Sequence, residues 1–587
     1  MHFAHVDTVI KFFSSQYFLV KLLLTYLFLL SLQSFFYTMT QSSFLANFIN
    51  TFLMFGITYS SEALSRVNGN PLLPADLLLL KNVKDIASFA EIPFFISGIF
   101  ALAINVLFLK RHWKICRRHE KQIKPVQRMA LALASLIGFT SVVYITCFNA
   151  TFKNKVLPKI DVKFSAFNPI DDYYSNGVVL TFFPRIGELV VEKPESYSQF
   201  AVNALKYKYE PVESVEKHRK ANVIIIQNEA WWNPDNIPEV KYSVDLMEGI
   251  NSLESNVVKG TFVSPVYAGG TCLPEFEVLT GMPTYFLPPS VYPYSQYITD
   301  ETPSIVSAYK ENGYQTVALH PYRKNFYNRA SAYPLMGFDT FKGMDDFDYK
   351  DISGIYIDDM ACVKQIIKEF ENKTEDRIFQ FVVTMENHGT YMTPRYNEFS
   401  FEMDAPTLSE EDYMDLLRYS QGVYNADKAF MALVEYFKNV DEPVILAMYG
   451  DHLPLLGTNG STYMNGGLVE YTDNFVSSDY KELYETPYVV WTNYNKPNFN
   501  LTSKLSGNTL GIRLFLASGN EAPWYFNVLE EFCEKYPVVS KTAIYNSDME
   551  LTEISGEDRH MEKDYKMIMY DILNGKNYCS PERNKNQ

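Results

Sequence analysis

The nine residues Val444-Ile-Leu-Ala-Met-Tyr-Gly-Asp-His452 join two kinds of chemistry: six apolar or aromatic side chains, then a glycine, a carboxylate and an imidazole. A short apolar run bounded by a turn residue has the pattern of a fully buried strand. Three other runs stop in the same way. Asn222-Val-Ile-Ile-Ile-Gln227 stops at Asn228-Glu229, Thr316-Val-Ala-Leu319 at His320, and Phe379-Gln-Phe-Val-Val-Thr-Met385 at Glu386-Asn387-His388. Residues 409–440 have helical spacing, as the crossover between two parallel strands needs. From about 222 onward the alternation predicts a parallel sheet covered by helices. In such sheets the ligand crevice lies outside the carboxyl ends of the strands. A lone histidine is more often structural than functional. Here three of the nine histidines follow strand-like runs directly, and the joint pattern predicts one site.

Glu, Asp and His together offer oxygen and nitrogen ligands suited to zinc, manganese or magnesium. A hydroxyl beside such an ion loses its proton more readily, which turns a weak nucleophile into a useful one. The candidate is Thr271, in Tyr267-Ala-Gly-Gly-Thr-Cys-Leu-Pro-Glu-Phe276. Gly269-Gly270 lets the backbone turn sharply. Thr271 then opens a helix, with Pro274 tolerated in the first turn. A helix N-terminus attracts a phosphate group. Thr271 as a plain helix cap is the competing reading of the same residues.

Composition divides the chain. Residues 1–150 carry 13 Lys+Arg against 6 Asp+Glu, a balance of +7, whereas the whole 587-residue chain carries −16. A basic apolar quarter ahead of an acidic remainder predicts a membrane anchor and a water-facing domain. The acidic balance excludes nucleic acid as a partner. Four apolar stretches approach the roughly 20 residues of a spanning helix: 17–38, 43–59, 92–109 and 129–148. The second is short and holds Asn47 and Asn50, and the start at 1–16 leaves room for an upstream span. The loop 110–128 contains Lys110, Arg111, Lys114, Arg117, Arg118, Lys121, Lys124 and Arg128. Such a loop marks the cytoplasmic side, so everything after 148 is expected outside the membrane. The loop 70–90 then falls on the outer face, as a connector or an interfacial helix. The six cysteines have no C-x-x-C spacing; Cys533 and Cys579 could pair, but a domain free of disulfides is the expectation.

At these residues the sequence resembles the lipoteichoic acid synthase family, membrane phosphoglycerol transferases of the sulfatase and alkaline-phosphatase superfamily. The resemblance covers most of 200–500. It rests on five features in order: the 222–229 strand with its terminal Glu229, Gly-Gly-Thr271 followed by Glu275-Phe276, His320-x6-Tyr327-Asn-Arg329, Glu386-Asn-His388-Gly-Thr-Tyr391, and Tyr449-Gly-Asp-His452. It implies an N-terminal transmembrane bundle plus an extracytoplasmic α/β domain with a sulfatase-like sheet covered by helices. The domains are then an anchor at 1–150, a juxtamembrane linker at 151–216, a catalytic domain at 217–530, and a tail or packing element at 531–587. It implies further that Glu229, Thr271, Asp451 and His452 hold one divalent metal, read as Mn2+ ahead of Mg2+ or Zn2+, with Thr271 as nucleophile. His320, Tyr327, Arg329 and His388 are implied to hold or protonate the phosphoglycerol group. The implied donor is phosphatidylglycerol, and the acceptor a glycolipid or polyglycerolphosphate at the bacterial cell membrane. Two departures stand out. Tyr327 occupies a position where relatives often carry Trp, and Glu229 is followed by Ala230-Trp231-Trp232, which could line the crevice or lie near lipid.

Cys272-Leu-Pro274 resembles the C-x-P core of sulfate-ester hydrolases, but those place Arg where Phe276 stands and carry an Asp-rich metal set, so sulfate hydrolysis is set aside. Other readings are a transferase of phosphoethanolamine or another lipid headgroup, a glycerophosphodiester hydrolase, and a non-catalytic membrane sensor. The sensor predicts that a ligand or the nucleophile is lost, and none is.

Overall fold

The computed structural model describes residues 16–68, 71–74, 76–77, 107, 110–111, 124–149, 151–162, 164, 169–189, 191–211, 220–288, 291–470, 478–495 and 499–580. The chain forms two compact units, Met1–Val190 and Val191–Gln587; this division falls within the 151–216 stretch.

In the first unit, Phe18–Thr40 and Val126–Phe148 are long and apolar enough to cross a membrane. Their side chains face outward, Leu23 at 55% and Met129 at 71% exposure. That pattern suits hydrocarbon surroundings, because the core helix of a soluble protein hides such residues. Ser43–Asn68 is a third long helix, with the Asn50 amide donating to the Leu29 carbonyl at 3.3 Å. Lys21, inside the first span, is buried. It donates to the Ser175 carbonyl at 2.9 Å and lies 3.6 Å from Asp161, as a charge at membrane depth requires. Most of the stretch 92–109 and of the loops 70–90 and 110–128 lies outside the described residues.

The second unit is built on an eight-stranded sheet. In chain order the strands are Asn222–Asn228 (β1), Val257–Val263 (β2), Tyr314–Leu319 (β3), Thr340–Lys342 (β4), Arg377–Val383 (β5), Val444–Gly450 (β6), Glu485–Thr492 (β7) and Lys504–Ser506 (β8). Their spatial order is β8-β2-β7-β6-β1-β5-β3-β4. Every pairing is parallel except those of β7, which runs antiparallel to β6 and β2. The sheet is therefore mixed, where the sequence pattern predicted a parallel one.

Successive side chains of a strand point to opposite faces. Val223 and Ile225 enter one core, together with the helices Cys272–Thr280, Ile305–Glu311, Gly507–Ala517, Phe526–Lys535 and Arg559–Leu573. Ile224 and Ile226 enter the other, under Asp359–Glu371 and Glu410–Phe437. Burial on both faces explains why β1 and β6 read as continuous apolar runs. The final stretch contributes Tyr565 and Ile568 to the first core. Trp231 and Trp232 are buried in the second, Trp232 edge-on to Tyr463, so neither lines an open crevice nor faces lipid. Cys147, Cys272, Cys362, Cys533 and Cys579 are free, with no disulfide among the described residues.

Candidate active site

Register assembles the site. β1 and β6 pair so that Asn228 lies opposite Gly450. The residues that follow, Glu229 and Asp451-His452, therefore leave the sheet side by side. Gly450 is required there: a Cβ would sit 1.9 Å from the Trp231 carbonyl oxygen. One ligand atom each from Glu229, Asp451 and His452 lies within 4.8 Å of the others, and all three residues are buried. His452 Nε2 is 3.6 Å from Glu229 Oε1 and 3.4 Å from Asp451 Oδ2.

This trio fits a divalent cation. Asp451 Oδ1 accepts from the Ala230 and His452 amides at 2.8 and 3.0 Å, while Asp451 Oδ2 and His452 Nε2 are buried without a hydrogen-bond partner. His452 Nδ1 donates to the Leu453 carbonyl at 2.9 Å, which leaves Nε2 as a lone pair aimed at the carboxylates. Burial, then the charge of Asp451, pushes the Glu229 carboxyl well above its usual range. Burial likewise raises Asp451, opposed by His452 and the two amides. Two carboxylates buried this close repel each other, and a cation between them removes the conflict.

Thr271 is joined to this cluster through its loop. Ser264 Oγ donates to the Asp451 carbonyl, the Ala268 amide donates to Leu453 O at 3.1 Å, and Gln227 Nε2 donates to Thr271 O at 3.0 Å. Gln227 is held in turn by the Tyr449 hydroxyl at 2.5 Å, so both central strands position the turn. Ala268, Gly269 and Gly270 all have positive φ, of 58°, 142° and 85°. Thr271 stands at the N-cap position of the helix Cys272–Thr280, yet its backbone is helical and its side chain makes no cap hydrogen bond. The capping explanation is thereby removed.

The remaining expected residues lie on the β3 and β5 side. His320 follows β3, and its Nδ1 donates to the Val383 carbonyl of β5 at 3.0 Å. Its Nε2 accepts from Arg329 Nη1 at 3.2 Å. Burial and then the Arg329 charge press His320 far below the usual imidazole range, so it is neutral. The Arg329 guanidinium lies 5.2 Å from the Tyr327 ring centre, and Tyr327 stacks on Tyr292. His388, after β5, donates from Nδ1 to the Gly389 carbonyl at 2.8 Å; burial lowers it to about 4.

Two residues of this region went unassigned from sequence. Glu275 is fully buried and receives Arg329 Nε at 3.1 and 3.0 Å, Arg329 Nη2, and the Tyr333 hydroxyl at 2.7 Å. Only Nη1 of Arg329 faces away from it. Arg395 is also buried and donates to the carbonyls of Glu386 at 3.0 Å, Thr390 at 2.8 Å, and His388. It ties down the loop that carries His388. Glu275 stands within the Thr271 stretch and was noted only as part of a matching pattern; nothing in the sequence signals Arg395.

The sulfatase family model matches residues 221–509. A putative cyclic beta-1,2-glucan modification protein of Rhizobium meliloti (strain 1021) is 29% identical over 531 residues, covering 87% of this chain and 79% of that protein. The capsular polysaccharide biosynthesis protein RkpI of the same organism is 30% identical over 248 residues, 41% of this chain and 42% of that one. Among solved structures, the phosphoglycerol transferase GacH of Streptococcus pyogenes, in complex with sn-glycerol-1-phosphate, superposes with a TM-score of 0.54 at 25% identity. That match covers 67% of this chain and 98% of the other. The residues that the sulfatase family model matches, 221–509, carry the mixed sheet, the turn with Thr271 and the Glu229, Asp451 and His452 trio that follows β1 and β6.

Proposed function

We propose that this chain transfers glycerol phosphate from phosphatidylglycerol to a hydroxyl of a cell-envelope glycan or glycolipid, through a phosphodiester on Thr271. The observation that carries the reading is Thr271 itself: a buried residue whose hydroxyl caps nothing, in a loop bound to Asp451 and Leu453. Similarity to a phosphoglycerol transferase supports the donor group. The names of the two Rhizobium relatives favour a saccharide acceptor.

Glu229, Asp451 and His452, with the Thr271 hydroxyl, are the ligands we assign to one divalent cation, Mn2+ first. Such an ion supplies Lewis acidity that lowers the pKa of a neighbouring hydroxyl. In the first step Thr271 Oγ bonds to phosphorus and the P–O bond to the diacylglycerol oxygen breaks. His388, neutral at the outset, takes the threonine proton and returns it to that oxygen. In the second step the acceptor hydroxyl attacks phosphorus, the bond to Oγ breaks, and the acceptor's proton returns to Thr271. Arg329 Nη1, the guanidinium nitrogen that Glu275 does not hold, is assigned to a phosphate oxygen. His320 orients that nitrogen, and Tyr327 flanks the glycerol.

The full chain, purified and supplied with fluorescent phosphatidylglycerol and a glucan acceptor, should release diacylglycerol and label the glucan with glycerol phosphate. Free glycerol phosphate as the sole second product means a hydrolase. Turnover of phosphatidylethanolamine alone means a different headgroup. Tethering to the membrane fits a lipid donor, and protease added to intact protoplasts should release a fragment of the catalytic unit, as an outward-facing domain requires.

A further inference from the structure

Large apolar side chains on the water-facing unit are unevenly distributed. Tyr349, Ile352, Ile355 and Met360 fall within twelve residues and are 37%, 63%, 65% and 38% exposed. Scattered single exposures are ordinary, but a contiguous group marks an interaction surface. The segment is a hairpin: Ile352–Ser353 pairs antiparallel with Tyr356–Ile357, turning at Gly354 with φ +67°. Tyr356 and Ile357 point inward and are buried, while Ile352 and Ile355 point out.

The hairpin is fastened to the catalytic side. The Tyr356 hydroxyl lies 3.3 Å from both His388 Nδ1 and the Gly389 carbonyl, and its ring meets the His388 ring edge-on at 5.4 Å. Under the turn, a Cβ on Gly354 would stand 2.9 Å from Arg395 Cγ, and Arg395 binds the His388 loop. That loop also carries Met392, 56% exposed. Ile352, Ile355 and Met392 therefore stand exposed on the two segments that Tyr356 and Arg395 fasten to His388. Charge does not explain the group: Asp346, Asp348 and Asp351 pair with Lys324, Lys368 and Lys364 at 2.6, 2.9 and 2.5 Å. Beside these pairs, Ile352 and Ile355 stand out as exposed apolar side chains.

The same chain carries two helices long and apolar enough to cross a bilayer, and a bilayer they cross would tether a hydrocarbon boundary to this unit. We infer that the 349–360 hairpin and Met392 dock on the lipid bilayer. Ile352, Ile355 and Met392 enter the headgroup–acyl boundary, so that a phosphate ester at the surface reaches His388 while its acyl chains stay in lipid. The inference extends the lipid-donor reading, but the contact itself is read without turnover. Being apolar, it is insensitive to ionic strength.

The test uses the full chain in vesicles of phosphatidylcholine and phosphatidylglycerol, with Ile355→Cys carrying a polarity-sensitive fluorophore. Val244→Cys, at an exposed apolar position elsewhere on the unit, is the control, and labelled wild type sets the background. The Ile355 probe should shift to the blue and be quenched by brominated lipid, equally at low and high salt, while the control is not. Quenching no greater than the control, including protection by a second copy of the chain, overturns the inference. Ile352→Ser with Ile355→Ser should raise KM for bilayer phosphatidylglycerol at least about tenfold and leave a water-soluble short-chain donor unaffected. Equal loss on both donors assigns the hairpin to site structure and overturns the docking role. If wild type turns over neither donor, the phosphoglycerol reading fails while the quenching still decides the contact.

Discussion

The two halves of the site handle buried charge in opposite ways. Around Arg329 the fold supplies the opposite charge: Glu275 takes Nε and Nη2, Tyr333 donates to the same carboxylate, and His320 takes one hydrogen of Nη1. At Glu229, Asp451 and His452 two acids are buried together and two ligand atoms have no hydrogen-bond partner. The first buried charge is paired within the fold, whereas the second leaves ligand atoms that a bound cation would satisfy. A protein holds such unsatisfied groups where function requires them, at the expense of stability.

That contrast predicts opposite signs for two substitutions. Asp451→Asn keeps the Oδ1 acceptor but removes a ligand charge. Titration calorimetry of the metal-stripped full chain should lose its single tight divalent site, and turnover should fall at least about a thousandfold, about 4 kcal/mol of barrier. Metal-free, the variant should melt no lower than wild type, because it relieves a repulsion. A clearly lower melting temperature would place Asp451 among the structural residues and erase the contrast.

Glu275→Ala should behave in the other way. It leaves Arg329 buried and unpaired, a change worth about 3–5 kcal/mol, visible as a large drop in thermal stability with or without metal. Glu275→Gln should recover part of it. Stability close to wild type in the alanine variant would mean that Arg329 finds another partner, and that the network is not what holds it.

A subtler comparison lies on the same helix. Glu277 is buried like Glu275 but has only hydroxyl and amide donors, Thr284 Oγ1 and N both at 2.7 Å. Burial raises its pKa to about 7, against those donors. A carboxyl raised in the folded state stabilises the protein fully below its unfolded pKa, and that contribution is lost as pH climbs toward 7. Glu277→Gln should therefore gain on wild type between about pH 4.5 and 7.5, by at most about 3 kcal/mol. A pH-independent difference would show that Glu277 stays ionised, matched by its donors.

Sequence made the sheet and the Glu229, Asp451 and His452 cluster legible for one physical reason. A central strand buried on both faces must be apolar throughout, so its end is conspicuous, and Glu229, His320, His388 and Asp451-His452 all stand at such ends. β7 was not legible as an antiparallel insertion, because a buried strand has the same pattern whichever way it runs. Arg329 stands out in the sequence, but its counter-ion lies 54 residues away on another element, and no local pattern encodes that distance. Arg395 acts only through backbone carbonyls, which leave no trace in side-chain chemistry. The capping alternative for Thr271 depended on one hydrogen bond that only coordinates could show to be missing.

Thr271 is where the proposal is most exposed. The full chain, quenched during turnover of phosphatidylglycerol and digested, should yield the peptide containing 267–281 with a glycerophosphate added at Thr271. Thr271→Ala should fold, lose far less than the roughly 1 kcal/mol of a true helix cap, carry no adduct and turn over no donor. An alanine variant that still transfers glycerol phosphate would contradict the covalent mechanism, whatever the geometry around it.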